Sequence, residues 1–351
     1  MKREKNDVND YIYVFFRLLK LVGANAAGST YNKYGKKRNR HMKKTILAGT
    51  YTEKGSRGIY AFGFDNGRAE ESRLFAELKD PKYISVHNGL VASVGTFDGG
   101  SGAAVLDADG HILDRSVFEK TPSCYITWHG NRLYCANYHE GHFNVLEFDG
   151  EKLHHIRTVE IREKAGCHQV IATEDRIYVP CLFLDCVKMY DHNLNPAGEI
   201  RFAEGTGPRH GVIAKQGTVM YLVSELSNEL FEIRISDHQI MRQISVLPEG
   251  KTHLKDTAAI RLSEDETKIY ISTRTLDIIT VVDAETFEVL QIVPCGGSHP
   301  RDIYRCGNYL LSANRFTDNI CVFALNPDGT IGEKTGETAV IQAVSLDELE
   351  G

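Results

Sequence analysis

The chain lacks several features that would point to common classes of protein. No apolar run approaches the roughly 18 residues that a membrane-spanning helix needs. No Cys-x-x-Cys pair suggests zinc, helical patterns are scarce, and no Gly-x-Ser-x-Gly motif marks a nucleophilic serine. These absences argue against a membrane partner, a bound metal and a serine acyl-enzyme.

The eight cysteines lie mostly inside strand patterns. Disulfide bonds are one interpretation. Reduced thiols are favoured, because free cysteines are the rule in proteins of the reducing cytosol. We therefore expect a cytoplasmic protein whose cysteines act as small apolar residues.

The first 41 residues differ in charge from the rest. They carry a formal +7, which leaves −13 for residues 42–351 of a chain whose total is −6. We interpret residues 1–41 as a leader that is disordered or non-native, with Met42 as an alternative start, and residues 42–351 as one domain. A signal peptide is weakened by Arg17 and Lys20 within its apolar stretch. The acidic body argues against nucleic acid as a partner.

One pattern recurs seven times, leading from an apolar strand through a polar turn to another strand. Its copies read ILAGTYT, LVASVGT, LYCANYH, IYVPCLF, MYLVSEL, IYISTRT and LLSANRF, at steps of 41 to 49 residues. A strand-rich repeat of roughly 40–45 residues is typical of a β-propeller, with one four-stranded sheet per blade. The sequence therefore predicts an all-β fold, a seven-bladed β-propeller.

A second element, a turn followed by a short strand, precedes six of the seven copies. It reads DPKYISV, TPSCYITW, AGCHQVIA, GPRHGVIA, KDTAAIRL and SHPRDIYR. The first copy lacks it, while residues 338–346 (TAVIQAVSL) form a spare apolar segment. We expect this segment to supply the missing innermost strand, so that the N- and C-terminal segments pair and close the ring. A loose C-terminal tail is the alternative.

Polar side chains converge on one face of the predicted disc. Successive strands of a blade run antiparallel, so first strands begin where second strands end. At these positions the later blades contribute mostly charged groups, namely His168, Arg209, His210, Glu225, Arg274, Arg301 and Arg315. The other blades contribute Tyr51, Tyr83, Tyr138 and Asn137. This asymmetry predicts a pocket with cations and one carboxylate on one wall and hydrogen-bonding side chains on the other.

These residue types suit a small anionic ligand. Guanidinium is permanently charged and pairs bidentately with carboxylate or phosphate. Histidine beside a carboxylate is common in acid–base catalysis near neutral pH. Singly, each residue also has a structural interpretation: Arg209 and Arg301 could pair with acids at blade edges, and Asn137 could form a turn. Their convergence on one face favours a functional site.

Several stretches carry a resemblance to a known family. They include GTYT, DPKY, ANYHEGHFNV, GCH, GPRH, SEL, ISTR, HPRD and SANRFTDNICVF, between about residues 45 and 325. In these stretches the chain resembles the seven-bladed propeller lactonases of the bacterial 6-phosphogluconolactonase type, which are similar in fold to carboxy-muconate lactonizing enzymes. The resemblance implies a catalytic set of His168, Arg209, Glu225 and Arg274. Neighbouring residues differ from the family pattern, for example Ser-Thr-Arg in place of Ser-Asn-Arg.

The resemblance implies hydrolysis of 6-phosphogluconolactone or a related anionic lactone, without metal or cofactor, in carbohydrate metabolism through the pentose phosphate pathway. Water would attack the carbonyl, and Arg209 or Arg274 would stabilise the oxyanion and hold the carboxylate or phosphate of the substrate. Either His168 or Glu225 would take the proton, and the other would orient the water or protonate the leaving alkoxide. The expected substrate contacts are His210, Arg301, Arg315, Tyr51, Tyr83, Tyr138 and Asn137. A non-catalytic propeller that binds an anion or a protein is one alternative, and a muconate-type cyclase or isomerase is another.

Overall fold

Short runs of strand-forming residues, separated by turns, build seven antiparallel sheets arranged in a ring. The computed structural model describes residues 43–252 and 255–349, so the predicted leader at residues 1–41 lies outside the described residues. Among the described residues, no helix has the length and apolar character to span a membrane. The predicted all-β, seven-bladed fold is confirmed.

In chain order, the strands of the first four blades are as follows. Blade one has Lys44–Thr50 (β1), Gly58–Asp65 (β2), Arg68–Ala69 (β3) and Arg73–Glu77 (β4). Blade two has Ile84–His87 (β5), Leu90–Phe97 (β6), Gly100–Leu106 (β7) and Ile112–Glu119 (β8). Blade three has Tyr125–His129 (β9), Arg132–Asn137 (β10), His142–Phe148 (β11) and Leu153–Glu160 (β12). Blade four has Ile171–Ala172 (β13), Ile177–Cys181 (β14), Cys186–Tyr190 (β15) and Pro196–Arg201 (β16).

The remaining blades repeat the plan. Blade five has Pro208–Ala214 (β17), Val219–Ser224 (β18), Glu229–Arg234 (β19) and Ile240–Ser245 (β20). Blade six has Thr257–Leu262 (β21), Lys268–Thr273 (β22), Ile278–Asp283 (β23) and Val289–Pro294 (β24). Blade seven has Pro300–Cys306 (β25), Tyr309–Asn314 (β26), Asn319–Leu325 (β27) and Ile331–Ala339 (β28). Ala343–Leu349 (β29) follows, and two 3₁₀ turns lie at Leu182–Leu184 and Lys215–Gly217.

The ring closes through the C-terminal segment, as predicted. Strand β29 pairs antiparallel with β1 and becomes the innermost strand of blade one. The expected boundary at residues 338–346 was wrong, because Thr338 still belongs to β28 of blade seven. The chain turns between the two strands, where the carboxylate of Asp318 accepts the N–H of Gln342 at 2.8 Å and Gln342 has a left-handed φ of 53°.

Apolar side chains fill the spaces between blades. Seven buried clusters correspond to the seven gaps between adjacent blades; Tyr134, Phe143, Ile177 and Val179, for example, pack between blades three and four. All eight cysteines are free, and all except Cys124 are buried. Packing between adjacent blades therefore holds the ring together.

The inner strand of blade four is shortened by a proline in the neighbouring strand. The carbonyl of Pro180 accepts the N–H of His168 at 3.0 Å. Residues paired in this way normally exchange two hydrogen bonds, but proline has no N–H to return. The carbonyl of His168 is released from the ladder, and the Cys124 thiol lies 3.6 Å from it instead. Regular pairing resumes only at β13, which leaves His168 at an irregular position on the channel wall.

Candidate active site

A cavity lies at one end of the central channel, where the inner strands begin. Its wall is formed by Tyr51, Lys82, Tyr83, Cys124, His168, Arg209, His210, Arg301 and Val344. Six of these are residues that the sequence predicted for the site. Side chains from blades that are distant in sequence therefore meet at this end of the channel.

A carboxylate between two arginines lies beside the cavity. The Oε2 atom of Glu225 accepts a hydrogen bond of 2.7 Å from Nε of Arg209, and its Oε1 atom lies 3.0 Å from Nη2 of Arg274. Asp256 approaches the same Arg274 nitrogen at 3.2 Å. The structure thus brings together three of the four residues predicted to be catalytic.

A glycine, Gly207, allows Arg209 and Glu225 to lie within hydrogen-bond distance of each other. The carbonyl of Gly207 accepts the N–H of Glu225 at 2.8 Å, which joins the start of β17 to the end of β18. Gly207 has φ of 63°, and a Cβ atom there would lie 2.5 Å from Cγ of Leu226. A larger residue would separate the two strand ends, so the motif Gly-Pro-Arg-His needs its glycine to place Arg209 against Glu225.

Burial and charge act in opposite directions on this pair. Burial raises the pKa of Glu225, but Arg209 and Arg274 outweigh it and hold the pKa below its usual range. Burial lowers the pKa of Arg209 to about 10, with Glu225 opposing that shift. Both groups are therefore ionised at neutral pH, and Arg209 presents a poorly hydrated positive charge to the cavity.

Two buried histidines form a pair next to Arg209. Nδ1 of His168 lies 3.1 Å from Nε2 of His210, so one ring donates to the other. Burial, followed by the charge of Arg209, lowers the pKa of both rings well below the usual range. Both imidazoles are therefore neutral at pH 7. His168, the fourth residue predicted to be catalytic, lies on the cavity wall.

Aromatic rings form the remaining wall. The ring of Tyr51 has the guanidinium carbon of Arg315 4.0 Å from its centroid, that of Arg301 at 5.5 Å and Nζ of Lys82 at 5.7 Å. Arg315 is also paired with Glu53, at 3.2 Å. Lys82 precedes the predicted Tyr83 in the Asp-Pro-Lys-Tyr motif and was not predicted, because the sequence offers no signal there beyond its charge.

Two further residues predicted to contact the substrate, Tyr138 and Asn137, differ in their surroundings. Tyr138 lies against His168, with ring centroids 5.7 Å apart, and stays a candidate contact. Asn137 is fully buried, and its amide bonds with Glu119, Thr121 and the backbone of the following turn. Both ends of its amide are engaged, which fits the turn-forming role that the sequence also allowed, and its substrate contact stays a prediction.

A second cavity occupies the opposite half of the channel, and its polar and charged lining includes Tyr83, Tyr125, Gln169, Arg261, Tyr304 and Asp347. Tyr83 lines both cavities. Arg261 donates a 2.8 Å hydrogen bond to Asp302, which also accepts the N–H groups of Ile303 and Leu346. These residues lie inside the inner strands or the segments that continue them, and not at the strand ends from which the site was predicted.

Potential metal ligands lie elsewhere. In the part of the chain that the structure describes, one group of three such side chains comes close enough to share an ion, Asp107, Asp109 and His111. They belong to the turn between β7 and β8, where the Asp107 carboxylate accepts backbone N–H groups of the same turn. That turn is outside both channel cavities.

Comparisons with known proteins agree with this architecture. Residues 45–346 match the family model for the seven-bladed β-propeller lactonases. A 6-phosphogluconolactonase of Bacillus subtilis (strain 168) is 26% identical over 311 residues, which cover 78% of this chain and 89% of that protein. Two solved structures share the fold. A putative 6-phosphogluconolactonase from Bacteroides fragilis NCTC 9343 has a TM-score of 0.79 at 23% identity, covering 90% of this chain and 100% of that one. The periplasmic gluconolactonase PpgL of Pseudomonas aeruginosa has a TM-score of 0.78 at 20% identity, covering 88% and 99%.

Proposed function

The chain belongs to the family of seven-bladed β-propeller lactonases, and from that premise we propose that it hydrolyses the ring ester of a sugar-acid lactone, with 6-phosphogluconolactone as the preferred substrate. The observation that carries the proposal is a cationic Arg209 and a neutral His168 on the wall of one cavity. Ester hydrolysis requires a group that stabilises an oxyanion and a group that accepts a proton from water.

His168 is the proton acceptor in this proposal. Because its Nδ1 is engaged with His210, its Nε2 is the nitrogen left for a water molecule. The low pKa of His168 keeps the ring neutral and makes the imidazolium a strong acid once formed. The proton taken from water is then returned to the ring oxygen of the lactone, so the products are a carboxylic acid and an alcohol on one molecule.

Arg209 is the electrophilic partner. As water adds to the carbonyl carbon, negative charge develops on the carbonyl oxygen, and the guanidinium group stabilises it. A preorganised cation in a largely dry site contributes more than one in water, since little reorganisation is needed. Glu225 holds Arg209 through the 2.7 Å hydrogen bond and is an anchor in this scheme rather than the base.

The proposal is tested by acid release from 6-phosphoglucono-δ-lactone, followed with a pH indicator against the spontaneous rate. The wild type should exceed that rate clearly. His168→Gln should lose about 10²- to 10⁴-fold in kcat, the usual contribution of a general base. His154→Gln changes an exposed histidine on β12 and serves as the matched control.

A wild-type rate equal to the spontaneous rate would remove the proposed substrate and favour a non-catalytic propeller. Full activity in His168→Gln would remove the assignment of the base. The cytoplasmic location and the role in carbohydrate metabolism stay predictions, as does the absence of nucleic-acid and membrane partners.

A further inference from the structure

Five cations surround the cavity, but carboxylates compensate only some of them. Arg209 and Arg274 pair with Glu225, and Arg315 pairs with Glu53. Lys82 and Arg301 have no carboxylate within ion-pair distance in the described ranges 43–252 and 255–349. Both nevertheless line the cavity, and both side chains are only partly exposed.

These two cations are placed around one aromatic ring. Nζ of Lys82 lies 5.7 Å and the guanidinium carbon of Arg301 lies 5.5 Å from the centroid of Tyr51. The Lys82 ammonium makes one long hydrogen bond, 3.4 Å to the carbonyl of Pro122. Cations removed from water without a partner carry a desolvation cost that an anionic ligand can offset.

The charge of this group contrasts with that of the rest of the chain. Residues 42–351 carry a formal −13, yet two cations that lack a carboxylate partner among the described residues line this one cavity. A phosphate monoester carries about −1.5 to −2 at pH 7 and has three strong acceptor oxygens. Two fixed cations therefore match a phosphate dianion in charge.

We propose that Lys82 and Arg301 form a phosphate subsite that favours a phosphorylated sugar lactone over the same lactone without phosphate. The assignment rests on the proposed lactonase function for the reacting half of the molecule. It moves recognition of the anion away from Arg209 and Arg274, whose guanidinium groups are engaged by Glu225. Lys82 and Arg301 both lie near the ring of Tyr51, on which Arg315 also packs.

The test compares two substrates that differ only in the phosphate, 6-phosphoglucono-δ-lactone and glucono-δ-lactone. For Lys82→Met and Arg301→Met, the ratio of the two kcat/KM values should fall about tenfold each, the usual loss for one charge-assisted hydrogen bond. Lys79→Met is the matched control, an exposed lysine on the same segment outside the cavity, and should keep the wild-type ratio. Arg301→Lys should recover part of the ratio because the positive charge is retained.

The outcomes separate the two proposals. Equal losses on both substrates, or an unchanged ratio, would overturn the subsite and leave the lactonase function in place. If the wild type hydrolyses neither lactone, the lactonase function fails and the subsite is judged by calorimetric binding of inorganic phosphate. Binding by the wild type that is weakened in both variants supports the subsite, while equal binding by all three proteins, or none by the wild type, overturns it.

Discussion

The central channel holds two buried arginine–carboxylate pairs that differ in how fully the protein satisfies them. At one end, the carboxylate of Glu225 is shared by Arg209 and Arg274. At the other end, Asp302 pairs with Arg261 and accepts two backbone N–H groups as well. The second pair is closed on itself. In the first group Arg274 also has Asp256 at 3.2 Å, whereas Arg209 depends on a carboxylate that it shares with Arg274.

The pKa values of the two carboxyl groups, Glu225 and Asp302, are shifted in opposite directions. Burial raises the pKa of both carboxyl groups. At Glu225 the two arginines reverse the shift, while at Asp302 the single Arg261 and the backbone hydrogen bonds do not. The carboxyl group between two arginines is therefore ionised, and Arg209 beside it lines the cavity.

The largest expected effect concerns the shared carboxylate. Glu225→Gln should reduce kcat of the folded protein by about 10²-fold or more, because Arg209 loses the charge that orients it toward the reacting carbonyl. The measurement is single-turnover acid release, with folding checked by circular dichroism. A kcat within threefold of the wild-type value would mean that the pair at the cavity is as structural as the other one.

An isosteric substitution in the Arg261–Asp302 pair should change stability rather than activity. Asp302→Asn should lower the free energy of unfolding by about 2 kcal/mol, since hydrogen bonds to a charged buried group weaken. The activity per folded molecule should stay near that of the wild type. Urea unfolding curves and active-site titration give the two quantities separately. A large loss of kcat at unchanged stability would assign Asp302 to the reaction.

A third expected effect is a pH dependence of stability that arises at the cavity end. His168 and His210 have folded pKa values well below the unfolded value of about 6.5, so their stabilising effect is present above that pH and is lost as the pH falls. Each histidine contributes up to about 1.4 kcal/mol per pH unit below that point. Unfolding free energies at pH 7.5, 6.0 and 5.0 should therefore fall more steeply in the wild type than in a His168→Gln/His210→Gln double variant. Parallel slopes would contradict the pKa shifts.

The sequence was sufficient for the features that depend on periodicity. The seven copies of the strand–turn–strand pattern correspond to the seven sheets, and the strand ends placed Arg209, Glu225 and Arg274 together. The missing first element of blade one predicted closure by the C-terminal segment. Residues at the same repeat position take equivalent places in the ring, because each blade packs on its neighbours in the same way.

Side-chain pairing could not be predicted from the periodicity of the sequence. Asn137 occupies a predicted site position, yet its amide forms hydrogen bonds with the following turn. Arg315 pairs with Glu53, which belongs to another blade. Arg301 and Asp302 are adjacent in sequence but belong to different groups, one in the cavity and the other in the closed pair. Such differences depend on which neighbour lies within a few ångströms, and one sequence does not contain that information.

The closing strand also determines when the cavity comes into existence. Val344 of β29 is part of the cavity wall, and Leu346 of the same strand binds Asp302 of blade seven. During synthesis this strand leaves the ribosome after every other strand of the ring. A nascent chain can stack blades two to seven as they emerge, since those blades are built from consecutive segments. The wall of the cavity is therefore complete only after β29 has emerged and paired with β1.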